Sequence, residues 1–157
     1  MKSLITIITV LFTFSCCAAS CSKDDEPNSI ENNSSVSTNP SITKMKITIG
    51  TEIFSATLYD NPSATAFKAL LPLTIDMTEL NNNEKYYDLP HPLPTNASVG
   101  GAIKNGDLML YGSNTLVLFY KSFNTSYSYT KLGNIDNPAG LAEALGNGNV
   151  VVKLENN

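Results

Sequence analysis

The sequence predicts a mainly β domain, a closed barrel with two short helical lids. Three observations point there. Short apolar runs alternate with polar residues at strand spacing between Met45 and Leu154. Clusters of Gly, Asn and Pro punctuate those runs at turn positions. Asn61-Pro62 and Asn137-Pro138 open the two segments whose apolar residues follow helical spacing instead.

Met45, Ile47 and Ile49 alternate with Lys46 and Thr48, which gives a strand with one apolar face. Gly50-Thr51 turns the chain into a second strand over Ile53–Leu58, completing a hairpin. Asn61 caps a helix with Pro62 at its first position. Ala64, Phe67, Ala69, Leu70 and Leu71 form its apolar stripe, and Pro72 stops it. Leu73–Met77 is a strand, Asn81-Asn82-Asn83 a turn and Lys85–Leu89 a short strand. Pro90, Pro92, Pro94, Gly100 and Gly101 make residues 90–101 a long irregular loop. Leu108–Tyr111 and Thr115–Tyr120 pair as central strands across Gly112-Ser113-Asn114. Phe123–Tyr129 is a polar aromatic loop entering a strand over Tyr129–Ile135. Asp136 or Asn137 caps the second helix, which runs through Leu141, Ala144 and Leu145 and ends at Gly146–Gly148. Val150–Leu154 is the last strand.

The amino terminus reads as an address. Lys2 precedes an uncharged apolar run from Leu4 to Phe14, and those 11 residues are too few to span a bilayer as a helix. A charged start, a short apolar centre and small residues after it describe a secretory signal over residues 1–20. Ala18-Ala19-Ser20-Cys21 resembles a bacterial lipobox, which implies that Cys21 is lipidated and becomes the first residue. The run Ser22–Glu26 is similar to the acidic signal of surface-exposed lipoproteins; its plainer reading is a solvated linker start. The expected location is the cell envelope, on the outer membrane through the lipid and exposed at the surface. Cys16, Cys17 and Cys21 are the three cysteines, so the folded part has no disulfide and no thiolate ligand. Residues 21–43 are rich in Asn, Ser, Thr and Pro and read as a disordered tether. The domain then occupies residues 44–157, long enough for one hydrophobic core.

Charge narrows the function. The net charge is −4, and every one of the ten positive side chains is a lysine. Without arginine the chain has no bidentate fork for phosphate, and nucleic acid is not an expected partner. From residue 44 onward ten acids face eight lysines, too balanced to steer a polyanion. No Ser-His-Asp spacing, phosphate loop or metal motif occurs, and neither a cofactor nor a metal is expected.

Three stretches carry a family resemblance. They are Leu58–Leu70, with Pro62, Thr65 and Phe67 in a Pro-x-x-Thr-x-Phe arrangement; Gly106–Tyr120, as a central hairpin; and Leu132–Ile135 followed by Gly140–Leu145. Together they resemble the small bacterial cyclophilin-like domain family over nearly the whole domain. The resemblance implies a closed eight-stranded β-barrel capped by two short α-helices. It also raises prolyl isomerase activity, for which the family uses an arginine, a glutamine and a histidine around a proline pocket. This chain has no arginine, Leu118 where the glutamine precedes two aromatics, and Tyr129 where the histidine stands. The peptide barrier is about 18–20 kcal/mol, and lowering it needs a preorganised donor.

The remaining signal is aromatic. Tyr111, Tyr120, Tyr127 and Tyr129, with His91 from the proline loop, are the expected lining of a groove for a peptide or small ligand. The plainer alternatives are barrel packing for the tyrosines and an exposed loop position for His91. The expected function is a non-catalytic binding module anchored to the membrane by its lipid. The alternative is a degenerate prolyl isomerase or another enzyme using the same cleft. A third class, action with a redox partner, rests only on the association of family members with flavodoxins.

Overall fold

The hairpin of β1 (Thr43–Ile49) and β2 (Glu52–Leu58) starts the fold in a computed structural model that describes residues 43–157. The signal expected over residues 1–20, the lipidation site Cys21 and the tether up to residue 42 lie outside the described residues. Ile49 pairs with Glu52 across the turn, where Gly50 takes φ 57°. Alternation sends Met45, Ile47 and Ile49 inward, with Phe54, Ala56 and Leu58 beside them. Helix α1 (Pro62–Lys68) follows, and the Asn61 side chain accepts a hydrogen bond from the Ala64 amide at 2.8 Å. The helix buries Ala64 and Phe67 against the barrel.

The remaining elements are β3 (Leu73–Leu80), β4 (Glu84–Asp88), β5 (Ser98–Ile103), β6 (Asp107–Tyr111), β7 (Thr115–Phe119), β8 (Phe123–Ile135), α2 (Leu141–Leu145) and β9 (Val150–Asn156). Strands run β2-β1-β9-β3-β4-β7-β6-β8, and β8 pairs back onto β2. Every pairing is antiparallel, so the ring is a closed eight-stranded barrel, as the resemblance implied. Closure removes the exposed edges that an open sheet would present.

The ninth strand departs from the sequence expectation. Residues 98–103 form β5 and pair with the first half of β8, where an irregular loop and a polar aromatic loop were expected. Tyr129 pairs with Tyr111 of β6 on one edge and with Ser98 of β5 on the other. Asn134 likewise pairs with Asp107 of β6 and Thr57 of β2. β5 and β2 therefore share one edge of β8, and its 13 residues serve three partners. A bulge between Val99 and Gly101 absorbs the register shift, with Gly101 at φ 59°.

Helix α2 also differs. Gly140, at φ 80°, is its N-cap, and no side chain caps it. Asp136 is engaged instead with Thr57 at 2.5 Å and Lys44 at 2.9 Å, while Asn137 accepts from the Ala139 amide. The helix starts later than expected because both proposed caps have other partners.

Two apolar clusters result. The larger fills the barrel, with Met45, Ile47, Phe67, Leu110, Leu118 and Leu132 at its centre. The smaller lies on the outer wall, where Ile103, Met109, Val117, Phe119 and Tyr129 pack together under Tyr86 and Phe123. Leu108, Leu110, Leu116 and Leu118 point into the barrel, so their neighbours Met109, Val117 and Phe119 point out of it. A surface strand needs polar residues outside; here the outer positions are apolar because β5 and the first half of β8 extend the wall there.

Candidate ligand cleft on the outer wall

Strand β4 sets the polarity of both sides of the wall. Glu84, Tyr86 and Asp88 alternate outward, and Lys85 and Tyr87 alternate inward. Lys85 is 0% exposed. Its ammonium donates to Glu79, to the Gly146 carbonyl at 2.9 Å and to the Gly148 carbonyl at 2.6 Å, which uses all three protons. The Tyr120 hydroxyl donates to the Glu79 carboxylate at 2.9 Å, and the Lys85 ammonium lies 5.4 Å from the Tyr120 ring centre. Glu79 also accepts from the Asn82 amide at 2.9 Å. Burial alone would raise the Glu79 carboxyl, but hydrogen bonds from Lys85 and Tyr120 and the Lys85 charge hold it below the ordinary value. This network joins β4 to the segment after α2 and ties down the turn between β3 and β4.

On the outer side lies a cleft of about 390 Å³. Glu84, Tyr86 and Asp88 form one wall, Thr115 and Val117 of β7 the floor, and Tyr111, Tyr127 and Tyr129 the other wall. Asn81 and Leu80 stand at the rim. Asn81 and Asn82 both have positive φ, 56° and 54°, a conformation that asparagine tolerates better than most residues. A second hollow of about 350 Å³ shares Asn81, Glu84, Tyr127 and Tyr129 with the first.

The aromatic wall is a ladder from core to solvent. Buried Phe119 meets Tyr129 at 5.4 Å, edge to face. Tyr129 meets Tyr111 at 5.6 Å, and Tyr111 meets Tyr127 at 6.2 Å, again edge to face. Tyr111 is 46% exposed and Tyr127 63%, so the outer two rungs are open to a ligand. Burial, the Glu84 charge and the neighbouring tyrosines push the Tyr129 phenol up to about 12. It therefore stays a hydroxyl, and a donor, at physiological pH.

The acids differ from each other. Asp88 accepts from the Thr115 hydroxyl at 2.7 Å. Glu84 is 8% exposed and has no hydrogen-bond or ion-pair partner among the described residues. Burial, and then the Glu79 charge behind it, raise its carboxyl above the ordinary value. Among the described residues no three His, Cys, Asp or Glu side chains gather as metal ligands.

Of the five residues expected in a groove, the fold brings Tyr111, Tyr127 and Tyr129 together. Tyr120 follows Leu118 into the barrel, because Phe119 takes the outward position. His91 lies exposed on the loop after β4 and lines none of the cavities described. Leu89 and Leu93 on either side of it bury into the core and bond Asn114 and Ser113, which turns His91 outward. Glu84 is the functional candidate that spacing alone did not single out. Its signal was the alternation Glu84-x-Tyr86-x-Asp88, which puts two acids and a tyrosine on one face.

A family model described as the cyclophilin-like family matches residues 47–155. The chain belongs to that family. The match runs from β1 to β9 and contains the whole cleft of this cyclophilin-like domain. No curated protein matches the chain.

Proposed function

We propose that this cyclophilin-like domain is a non-catalytic module that binds a peptide or small ligand in the outer cleft, held at the cell envelope by a lipid on Cys21. The aromatic ladder carries the reading: two exposed tyrosines stand on a buried one beside a concave site. Small-ligand sites occupy about 300–1,000 Å³ and are lined by aromatic residues with a few placed polar groups. The cleft volume and lining fit that description. Tyrosine supplies large contact area at low conformational cost. The lack of arginine supports binding over isomerisation, since the chain has no guanidinium to stabilise a twisted amide.

Titration of the full-length chain with a proline-containing peptide, followed by NMR with exchange spectroscopy on the peptide, tests the binding role. Shifts at Tyr111, Tyr127 and Tyr129 without faster cis/trans exchange are the expected result. Faster exchange would make the domain a catalyst, and silence at all three tyrosines would remove the peptide. Labelling with radioactive palmitate tests the anchor: Cys21→Ala should lose both the label and the membrane fraction.

A further inference from the structure

We propose that the outer cleft receives an alkylated ammonium group, with Glu84 as its counter-charge and Tyr86, Tyr111, Tyr127 and Tyr129 as its aromatic walls. The inference rests on the reading of this cleft as a ligand site and names the chemistry of the ligand.

Glu84 carries it furthest. The residue is 8% exposed, but its carboxylate is not sealed off: the enclosed side-chain oxygens without a partner among the described residues are those of Asn83 and Asn105. Glu84 has no hydrogen-bond or ionic partner among the described residues, and it lines both the cleft and the hollow beside it. A ligand cation in the cleft would meet this carboxylate with no protein group already bound to it among the described residues.

The walls select the kind of cation. Aromatic faces attract positive charge, and the attraction grows when the site is desolvated. Four tyrosines line the cleft with Glu84, three of them in the core-to-solvent ladder with Phe119. No lysine or histidine lines the cleft, and both of its charged residues are acids. Lys85, next in sequence, faces the barrel interior and is used up by Glu79 and two carbonyls. A bare ammonium or a metal ion asks for several acceptors at once. The cleft offers Glu84 and the remaining lone pairs of Asp88, whose Oδ1 accepts from Thr115, within a larger aromatic surface. An alkylated ammonium asks for less: one counter-charge, and apolar contact over the rest of its surface. Tyrosine rings supply that contact.

Such a group can come from a small molecule or from a methylated lysine side chain. Isothermal titration and NMR on the full-length chain test the proposal with three probes: choline, its neutral carbon isostere 3,3-dimethylbutan-1-ol, and a peptide containing trimethyllysine. The expected result is that at least one of the two cations binds and shifts Tyr111 and Tyr127. The neutral isostere should bind about tenfold more weakly than choline, or not at all. Glu84→Gln, which keeps the side-chain volume, should lose about tenfold in cation affinity with an unchanged fold. Tyr127→Ala, at an exposed position, should weaken binding without loss of stability. Tighter binding of the peptide assigns the group to a protein partner, and tighter binding of choline assigns it to a small molecule; either supports the proposal. Equal affinity for choline and its isostere, or full affinity in Glu84→Gln, overturns it. If both cations fail while the proline peptide still shifts the tyrosines, the ammonium inference falls and the binding module stands. If every probe is silent, both fall.

Discussion

Glu79 and Glu84 stand on the two arms of one hairpin and face opposite sides of the barrel wall. Glu79 points inward to Lys85 and Tyr120; Glu84 points outward into the cleft without a partner among the described residues. Burial raises the Glu84 carboxyl and the ionised Glu79 across the wall adds to it, while bonds from Lys85 and Tyr120 lower Glu79 against its own burial. Two like residues five positions apart thus have opposite tasks. One locks the turn, and the other is left available.

Glu84→Gln should stabilise the free domain at neutral pH by about 1 kcal/mol, because it removes a charge that burial disfavours. The folded-state value of Glu84 is raised, so its contribution to stability is present below the ordinary glutamate value and lost as pH rises through the raised one. Urea unfolding of wild type and variant should converge in acid and separate toward pH 7. A less stable variant at pH 7 would show that the carboxylate is already paired.

Lys85→Met should destabilise by about 3–5 kcal/mol, because it takes the cation from Glu79, which keeps only its bonds from Tyr120 and Asn82, and leaves the Gly146 and Gly148 carbonyls without their donor. Adding Glu79→Gln should recover a large part of that loss. A double-mutant cycle in urea measures the coupling. Additive losses would mean that Lys85 acts through packing alone.

Asp136 and Glu79 set the acid limit. Burial would raise Asp136, but hydrogen bonds from Thr57 and Lys44 hold it below the ordinary value. Stability from a lowered carboxyl is fully present above the ordinary value and lost as pH falls through the lowered one. Thermal melts between neutral pH and about pH 2 should show this loss. Asp136→Asn should flatten the slope, and an unchanged slope would discard the assignment.

Gly133→Ala should cost about 3 kcal/mol. Gly133 pairs with Leu58 on one edge and Leu108 on the other, and an added methyl would run into the Thr57 carbonyl oxygen and the Leu58 backbone. The backbone of β2 cannot rearrange as a side-chain tip can. Gly148→Ala meets nothing within 4 Å and should stay within about 0.5 kcal/mol of wild type. Thermal unfolding of the pair decides.

Tyr120 and Tyr129 should both ionise at about 12. The Glu84 charge is among the causes for each, so Glu84→Gln should bring both down. An alkaline titration followed by NMR resolves the two phenols.

Much of this architecture was readable from local chemistry. The β1–β2 hairpin, the Asn61 cap and the β6–β7 pair each carry their own signal in alternation, capping or turn residues. β5 did not, because its sequence Ser-Val-Gly-Gly-Ala-Ile reads as a loop. It is a strand through its pairing with β8, which no local propensity encodes. Gly100 sits close to β8 there: a methyl on it would come within 2.9 Å of the Thr125 side chain and 3.2 Å of the Tyr127 carbonyl. The site divided in the same way. Composition marked the tyrosines, but the side that each one faces depends on register, which sent Tyr120 inside and kept Tyr129 on the outer wall. Glu84 emerged only with the sheet assembled, since the cleft it lines draws on β3, β4, β6, β7, β8 and a turn.

The buried Lys85 amine has a practical consequence. Primary amines on a protein surface react with acylating reagents within minutes, whereas an amine with no solvent contact and three hydrogen bonds cannot react until the barrel opens. Acylation of Lys85, read by mass spectrometry after digestion, is therefore a built-in clock for opening of the barrel. Run with and without ligand, it would report whether filling the outer cleft slows the breathing of the wall behind it.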